Sequence, residues 1–461
     1  MSPRRGAAAL RGLPLIGVCL AAVAFHSWVA FERAGSIEIR SFPSSVFRMD
    51  VFRAPRDWAT VLPSGRTSVH PLTKLALTPI GLTIRRHVPG AGSPVDAARV
   101  LAIAGVALTT LLAGLLTARL AGGDLRAGAL ASLLTAVSFS SVLLAAIPES
   151  ASLAGVATLA PLLFLANRAE KPWTTAESAG WLLLGLLGIA ITVTQLAHWG
   201  IALLCRWTML RPASGSPGRA FARLPLLLAL VLGLAMAGSW LQAERYPGSR
   251  KFYEITAVAS DESAFLRLAD LRDEPLNHVA RVASHFVGVN FVAPFPERSN
   301  AFIEEWDANY WILSVESPWR AEWSGAQRAL GGVLALLLAA GVVALARRPD
   351  PFFAAPLLSI AAMFGLHLLY GHEYLLYAGH WHGLVVAVLV AAAWRAWPGR
   401  RGFIAAAIVA LSVGVGANSV AVMDRVYAEL DYGLQTVRRD AEGRPLIPLG
   451  APRASAVPRR P

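Results

Sequence analysis

The sequence predicts an all-α protein, a polytopic bundle of about eleven transmembrane helices with extracytoplasmic loops and interfacial helices. Three observations carry that prediction. Of 461 residues, 55% are hydrophobic and only 15% are charged, where a soluble chain carries about a quarter charged. The mean hydropathy is +0.51. Apolar runs of roughly 17–25 residues, long enough to cross a bilayer as helices, recur from end to end.

The first run, 13–31, follows Arg4, Arg5 and Arg11. That is the layout of a signal peptide, but no small-x-small cleavage site follows, so it reads as an uncleaved anchor. The later runs are 99–120, 126–147, 150–167, 180–195, 198–210, 223–241, 327–346, 352–370, 374–394 and 403–422. Run 198–210 is short and suits a tilted or broken helix. Segment 70–84 is ambiguous, because it is short for a span and contains Pro71, Lys74 and Pro79. Counting it as a span would invert everything downstream.

Charge decides its placement. Without that span, the cytoplasmic flanks hold Arg4, Arg5, Arg11, Arg119, Arg126, Arg168, Lys171, Arg206, Arg211, Arg219, Arg223, Arg347, Arg348, Arg395, Arg400 and Arg401. Only Asp124, Glu170, Glu177 and Asp350 oppose them. This is a positive-inside pattern, with the N-terminus cytoplasmic. Segment 70–84 is therefore expected on the outer surface as an interfacial helix. Residues 1–422 then form one membrane domain, with a first outer loop at 32–98 and a long outer loop at 242–325. Residues 423–461 form a polar tail expected to be poorly ordered.

Composition also excludes some classes. The net charge of +13 follows the topology signal, and no zinc-finger spacing, RNP-like motif or basic helix supports nucleic-acid binding. Cys19 and Cys205 fall in or at the end of apolar runs and offer no disulfide or metal site. Trp306, Trp311, Trp319 and Trp323 in the long outer loop read as headgroup-belt residues in preference to sugar-stacking ones. No internal repeat and no inverted half-to-half symmetry is visible.

Polar residues gather on the outer side. Asp50, Asp57, His70 and Lys74 stand in the first outer loop with Arg53, Arg56 and Arg66. Pro148-Glu149-Ser150, then Gln195 with His198 and Trp199, then His372-Glu373-Tyr374 supply the next outer turns, with Tyr377, His380 and His382 following. Ionisable groups at a membrane edge are costly and tend to be functional. A divalent metal is left open, although His380 and His382 are two apart and make no i, i+4 pair. Glu149 is equally a carboxylate favoured by a helix N-terminus. Asp57 reads as a surface partner of Arg56 or Arg53.

Asp50 after the first span, His70-Pro71-Leu72, and Ile147-Pro148-Glu149-Ser150 at the end of the third together resemble membrane glycosyltransferases of the GT-C superfamily. More narrowly, they resemble the bacterial members related to protein mannosyltransferases and lipid A aminoarabinose transferases. The resemblance covers 13–167 by motif and the remainder by layout. Leu72 stands where the family has a second proline, and Met49 and Val51 flank Asp50 where many members place another acid.

The resemblance implies an enzyme of the bacterial inner membrane that transfers a hexose or pentose from a polyprenyl-phosphate donor on the outer face. The acceptor would be a glycan, lipid or protein. It maps a catalytic carboxylate onto Asp50. Glu149 would orient the acceptor or a basic partner. Arg53, Arg56, Arg66 and Lys74 are the cations available to a leaving lipid phosphate. Asp57, His70, His198, His372, Glu373 and Tyr374 complete the expected substrate-binding set. The alternatives are an O-antigen ligase or polymerase type of enzyme, and a non-catalytic transport or envelope-assembly protein on the same scaffold.

Overall fold

The computed structural model describes residues 3–33, 53–62, 67–210, 217–254, 256, 263, 265–303, 308–315, 321, 323–347, 350–371, 374, 375 and 377–436. Asp50, Arg66, His372 and Glu373 lie outside the described residues, as do Trp306, Trp319 and the tail from 437. The helices in chain order are α1 (Pro3–Ser27, continued by a π turn Trp28–Arg33), α2 (Arg53–Ala59), α3 (Thr73–His87), α4 (Pro94–Leu120), α5 (Leu125–Val137), α6 (Phe139–Ala146), α7 (Ala151–Arg168) and α8 (Thr175–Ile191). There follow α9 (Gln195–Leu210), α10 (Pro217–Arg245), α11 (Leu268–Asp273), α12 (Pro275–Ser284), α13 (Gly325–Arg347), α14 (Ala354–Leu369), α15 (His382–Ala396) and α16 (Arg401–Thr436).

One antiparallel hairpin interrupts the all-helical pattern: β1 (Glu297–Ile303) pairs with β2 (Ala308–Ser314), Glu297 lying opposite Ser314. The hairpin is not among the elements expected for this stretch, where the tryptophans are the prominent feature. Its Tyr310, Trp311 and Ile312 are strand formers.

Seven helices among the described residues are long and apolar enough to cross a membrane, and eight if α5 and α6 form one bent span. The eleven expected spans are thus too many by this measure. Runs 180–195, 198–210 and 374–394 give α8, α9 and α15, of 17, 16 and 15 residues. At 1.5 Å per residue such helices rise only about 22–26 Å, against a ~30 Å hydrocarbon layer. In α15 the physical reason is plain. Every residue from His382 to Trp394 is buried, so the helix is apolar all round because protein encloses it.

Local signals start several of these helices. Ser93 accepts from Asp96 N (3.1 Å), with Pro94 in the first position of α4. Thr174 caps α8 by accepting from Glu177 N at 3.1 Å. The core centres on α15, which packs against α4, α5, α7 and α13. Helix α3, the expected interfacial segment, is not among the candidate spans. It lies against α2 so closely that a Cβ on Gly81 would sit 2.0 Å from the Trp58 carbonyl oxygen, so only glycine fits there.

The bend of 57° between α5 and α6 positions the site described next. A helix end in an apolar interior leaves carbonyl and N–H groups that must find partners. Here they do. The Thr135 carbonyl accepts from Ser138 (2.8 Å) and Ser141 (2.6 Å), Ala136 O from His26 Nε2 (2.8 Å), and Val137 O from Ser419 (2.9 Å). On the α6 side, Phe139 N donates to Phe291 O (3.3 Å) and Ser140 N to Asn290 O (3.0 Å). The chain between α10 and α13 thus reaches into the break, and Asn290 and Phe291 are fully buried there.

Candidate active site at the end of the broken span

Helix α6 ends at Ala146, and Ile147-Pro148 carries the chain to Glu149, just before α7. Glu149 is 0% exposed. Its Oε1 accepts from Ser150 N (2.7 Å), Ser150 Oγ (2.8 Å) and the Arg53 guanidinium at the start of α2. Arg53 also donates to Ser150 Oγ at 3.1 Å. Among the described residues Oε2 has no hydrogen-bond partner. Leaving a buried carboxylate oxygen bare is costly, and native structures rarely do it without a reason.

Arg99 lies on the other side of the same turn. It is buried at the start of α4, and its Nε donates to Ala146 O at 3.4 Å. The sequence analysis treated Arg99 as a span boundary and missed it. An arginine one turn inside an apolar helix was the available signal.

A third segment closes on this turn from the C-terminal half. The chain before α15 meets the first turn of α7 so tightly that a Cβ on Gly379 would lie 1.9 Å from Ala151 O. That contact places His380 where its Nδ1 accepts from Gln195 Nε2 (3.1 Å), while Gln195 Oε1 accepts from Thr158 of α7 (3.0 Å). His198, one turn along α9 from Gln195, is fully buried, with neither ring nitrogen hydrogen-bonded. His380 stands within electrostatic reach of both His198 and His367 of α14. His382 turns away and meets Ser141 at 2.9 Å, so the two histidines face different sides. Among the described residues no three His, Cys, Asp or Glu side chains converge as metal ligands.

The first outer loop is placed differently from what its residue types suggest. His70 Nδ1 donates to Ile191 O (2.5 Å) and Thr73 Oγ1 to Ala190 O (2.6 Å). Both contacts satisfy carbonyls left open by the last turn of α8. Gln242 of α10 donates to Pro71 O and accepts from Leu75 N, each at 2.9 Å. His70 therefore holds the loop against α8.

Lys74 is fully buried and donates to Arg56 O (3.2 Å) and Thr60 O (3.1 Å). Arg85 donates to Ala59 O at 3.0 Å. These cations cap the C-terminal end of α2. Burial pushes the Lys74 ammonium below its ordinary pKa, and the Asp57 carboxylate pulls it back up. Asp57 is 3% exposed, which corrects its expected place at the surface: α3 packs on α2, with Thr78 Oγ1 donating to Asp57 O at 2.7 Å. Arg56 is exposed.

No protein-family model and no curated protein matches the chain. Among solved structures, it is similar to the oligosaccharyltransferase of Archaeoglobus fulgidus. The form tethered to an acceptor peptide containing the NVT sequon matches at TM-score 0.45 and 16% identity, covering 90% of this chain and 55% of that one. The apo form matches at 0.44 and 14%, covering 93% and 59%. The complex with Zn and sulfate matches at 0.44 and 15%, covering 90% and 53%. The chain thus spans little more than half the length of these structures.

Tyr374, the last of the expected site residues, stands apart from Glu149's immediate contacts. It is 5% exposed and its ring meets that of His285 at 4.8 Å. Burial pushes its phenol pKa up, against the opposing charges of Arg267 and Arg281.

Proposed function

We propose that the chain is a membrane glycosyltransferase that moves a sugar from a polyprenyl-phosphate donor to an acceptor at the extracytoplasmic face. The observation that carries this reading is Glu149, fully buried, with one oxygen held by three donors and the other unpartnered. A carboxylate so held is pre-oriented to accept a hydrogen bond from an acceptor group in its free direction. The motifs around Asp50, His70-Pro71 and Pro148-Glu149 support the reading by their resemblance to GT-C enzymes.

Asp50 is proposed as the base. It precedes Arg53 by three residues, and three residues of chain reach at most about 11 Å. In the reaction, the acceptor O–H gives its proton to the carboxylate as its oxygen bonds to the anomeric carbon. The anomeric C–O bond breaks, and the lipid phosphate leaves with the electron pair. Arg53, which holds Glu149, and Arg99, which donates to Ala146 O at the start of the same turn and is ion-paired with Asp96, are the guanidinium groups that would stabilise the charge developing on that phosphate. Glu149 would orient the acceptor and keep Arg53 in place.

The test is consumption of a lipid-phosphate-linked sugar by the purified full chain. Asp50→Asn should abolish transfer without lowering protein level. Unchanged transfer in that variant removes Asp50 as the base, and no transfer by the unaltered chain with any lipid-phosphate sugar removes the reading itself.

A further inference from the structure

We propose a second polar site, in the long outer loop, that holds the phosphate of a membrane lipid between Arg281, Arg267 and the hydroxyl of Tyr374. It is built from three segments that Glu149 does not touch. Arg281 lies on α12, Arg267 just before α11, and Tyr374 after α14. His278, Arg281 and His285 are spaced i, i+3 and i+7 along α12 and its continuation, and this face meets the chain that carries Tyr374: His278 Nε2 donates to Leu368 O (2.9 Å) and the His285 ring meets that of Tyr374 (4.8 Å). Arg267 N donates to Leu369 O and Gly371 N to Phe265 O, each at 2.9 Å, which sets Arg267 beside the same chain.

The charges are not balanced within the cluster. Asp270 is ion-paired with Arg267, so among the described residues one carboxylate faces two guanidinium groups. The Arg281 side chain makes no ion pair among the described residues, and its Nε is buried without an acceptor. The Tyr374 hydroxyl, 5% exposed, also has no partner. A buried N–H and O–H that point at nothing fit an anion that supplies acceptor oxygens to both. Arginine's planar fork favours phosphate or carboxylate.

Height and surroundings select a lipid phosphate. The cluster is tied to the last turn of the α14 span: His278 Nε2 donates to Leu368 O and Arg267 N to Leu369 O, each at 2.9 Å. The site therefore stands at a span end, where headgroups lie. Around it, Leu266, Leu268 and Leu276 are 49%, 57% and 83% exposed. Leucines on the open face of α11, α12 and the chain before them suit acyl or isoprenoid chains. A phosphate joined to apolar chains meets both features, whereas free phosphate meets only the first.

Two lipids carry that chemistry, an isoprenoid phosphate and an anionic phospholipid. The full-length protein in neutral maltoside micelles would be titrated with polyprenyl monophosphate, with phosphatidylglycerol and with inorganic phosphate, and the bound species counted by native mass spectrometry. With one polyprenyl phosphate assigned to Arg53 and Arg99, the expected result is a second retained lipid phosphate, whose affinity falls about ten-fold or more in Arg281→Gln and several-fold in Tyr374→Phe. The Tyr374→Phe ring keeps the stack on His285, so a loss there reports the hydroxyl and not misfolding. Preference for the isoprenoid assigns the site to a donor lipid, and preference for phosphatidylglycerol assigns it to bulk headgroups; either supports the proposal. Equal retention by the unaltered chain and both variants overturns it. So does retention of inorganic phosphate as tight as that of either lipid. Glu149→Gln should retain this second lipid as the unaltered chain does, whatever it does at Arg53, so failure of the transfer reading and failure of this one separate.

Discussion

Replacing Glu149 by glutamine tests whether its charge serves chemistry or only architecture. The amide oxygen can still accept from Ser150 N, Ser150 Oγ and Arg53, the three donors now on Oε1. The NH2 group would take the place of Oε2, which has no partner to lose. What disappears is the negative charge opposite an Arg53 side chain that is 10% exposed. Exchanging charge-assisted for neutral hydrogen bonds costs about 1–3 kcal/mol, less than the ~3–5 kcal/mol for deleting one partner of a buried pair. A domain of typical stability, about 5–15 kcal/mol, stays at least about 97% folded after such a loss. If the carboxylate takes part in positioning or proton transfer, transfer should fall by about 100- to 10,000-fold, or roughly 3–5 kcal/mol of barrier. Thermal unfolding in micelles and sugar release from a lipid-phosphate donor would be measured on the same preparation. A small fall in midpoint with a large fall in transfer is expected. Full transfer by Glu149→Gln would refute the argument, and so would a collapse of the fold large enough to account for the lost activity.

Three further outcomes are expected. Arg206 and Glu177 form a second buried pair, 0% exposed on both sides, with Arg206 also donating to Ala169 O and Lys171 O; Arg206→Met should cost about 3–5 kcal/mol in unfolding, and the double variant with Glu177→Leu should regain much of it. His70→Ala frees the Ile191 carbonyl at the end of α8 and should cost about 1–3 kcal/mol, with faster amide exchange in α3 by mass spectrometry. Unchanged exchange there would remove His70 as the clamp. Burial lowers the pKa of His285 below its usual 6.5, against two opposing backbone hydrogen bonds. Between the lowered folded value and 6.5 the unfolded chain holds more protons, so stability should be complete above about pH 6.5 and fall as the pH drops below it. His285→Gln should flatten that part of the curve, read as the difference from the unaltered chain in acid-titrated unfolding.

The parts of this molecule that sequence could and could not disclose divide along a physical line. Hydropathy measures how little a helix wants water, and it cannot tell lipid from protein as the alternative. It therefore locates α4, α10 and α13 well and leaves α15 undecided, since its apolar surface faces other helices and its length keeps it out of the candidate spans. Residue type likewise indicates that a group is costly in its setting without naming the partner that offsets the cost. Arg53 and Lys74 look alike as cations of one loop, yet Arg53 meets the Glu149 carboxylate and Lys74 meets the carbonyls that end α2. Glu149 was visible because a carboxylate between two apolar runs has few cheap explanations. The break that aims it was not visible, since it depends on Asn290, Phe291, His26 and Ser419, all remote in sequence, each supplying one missing hydrogen bond. Asn290 and Phe291 act through backbone carbonyls that substitution keeps, whereas removing the His26 imidazole or the Ser419 hydroxyl should alter the angle of α6 and so the direction of Glu149 Oε2. Transfer would then respond to Ser419→Ala, a residue that touches neither Arg53 nor Glu149, while Ser419→Thr, which keeps the hydroxyl, should restore it.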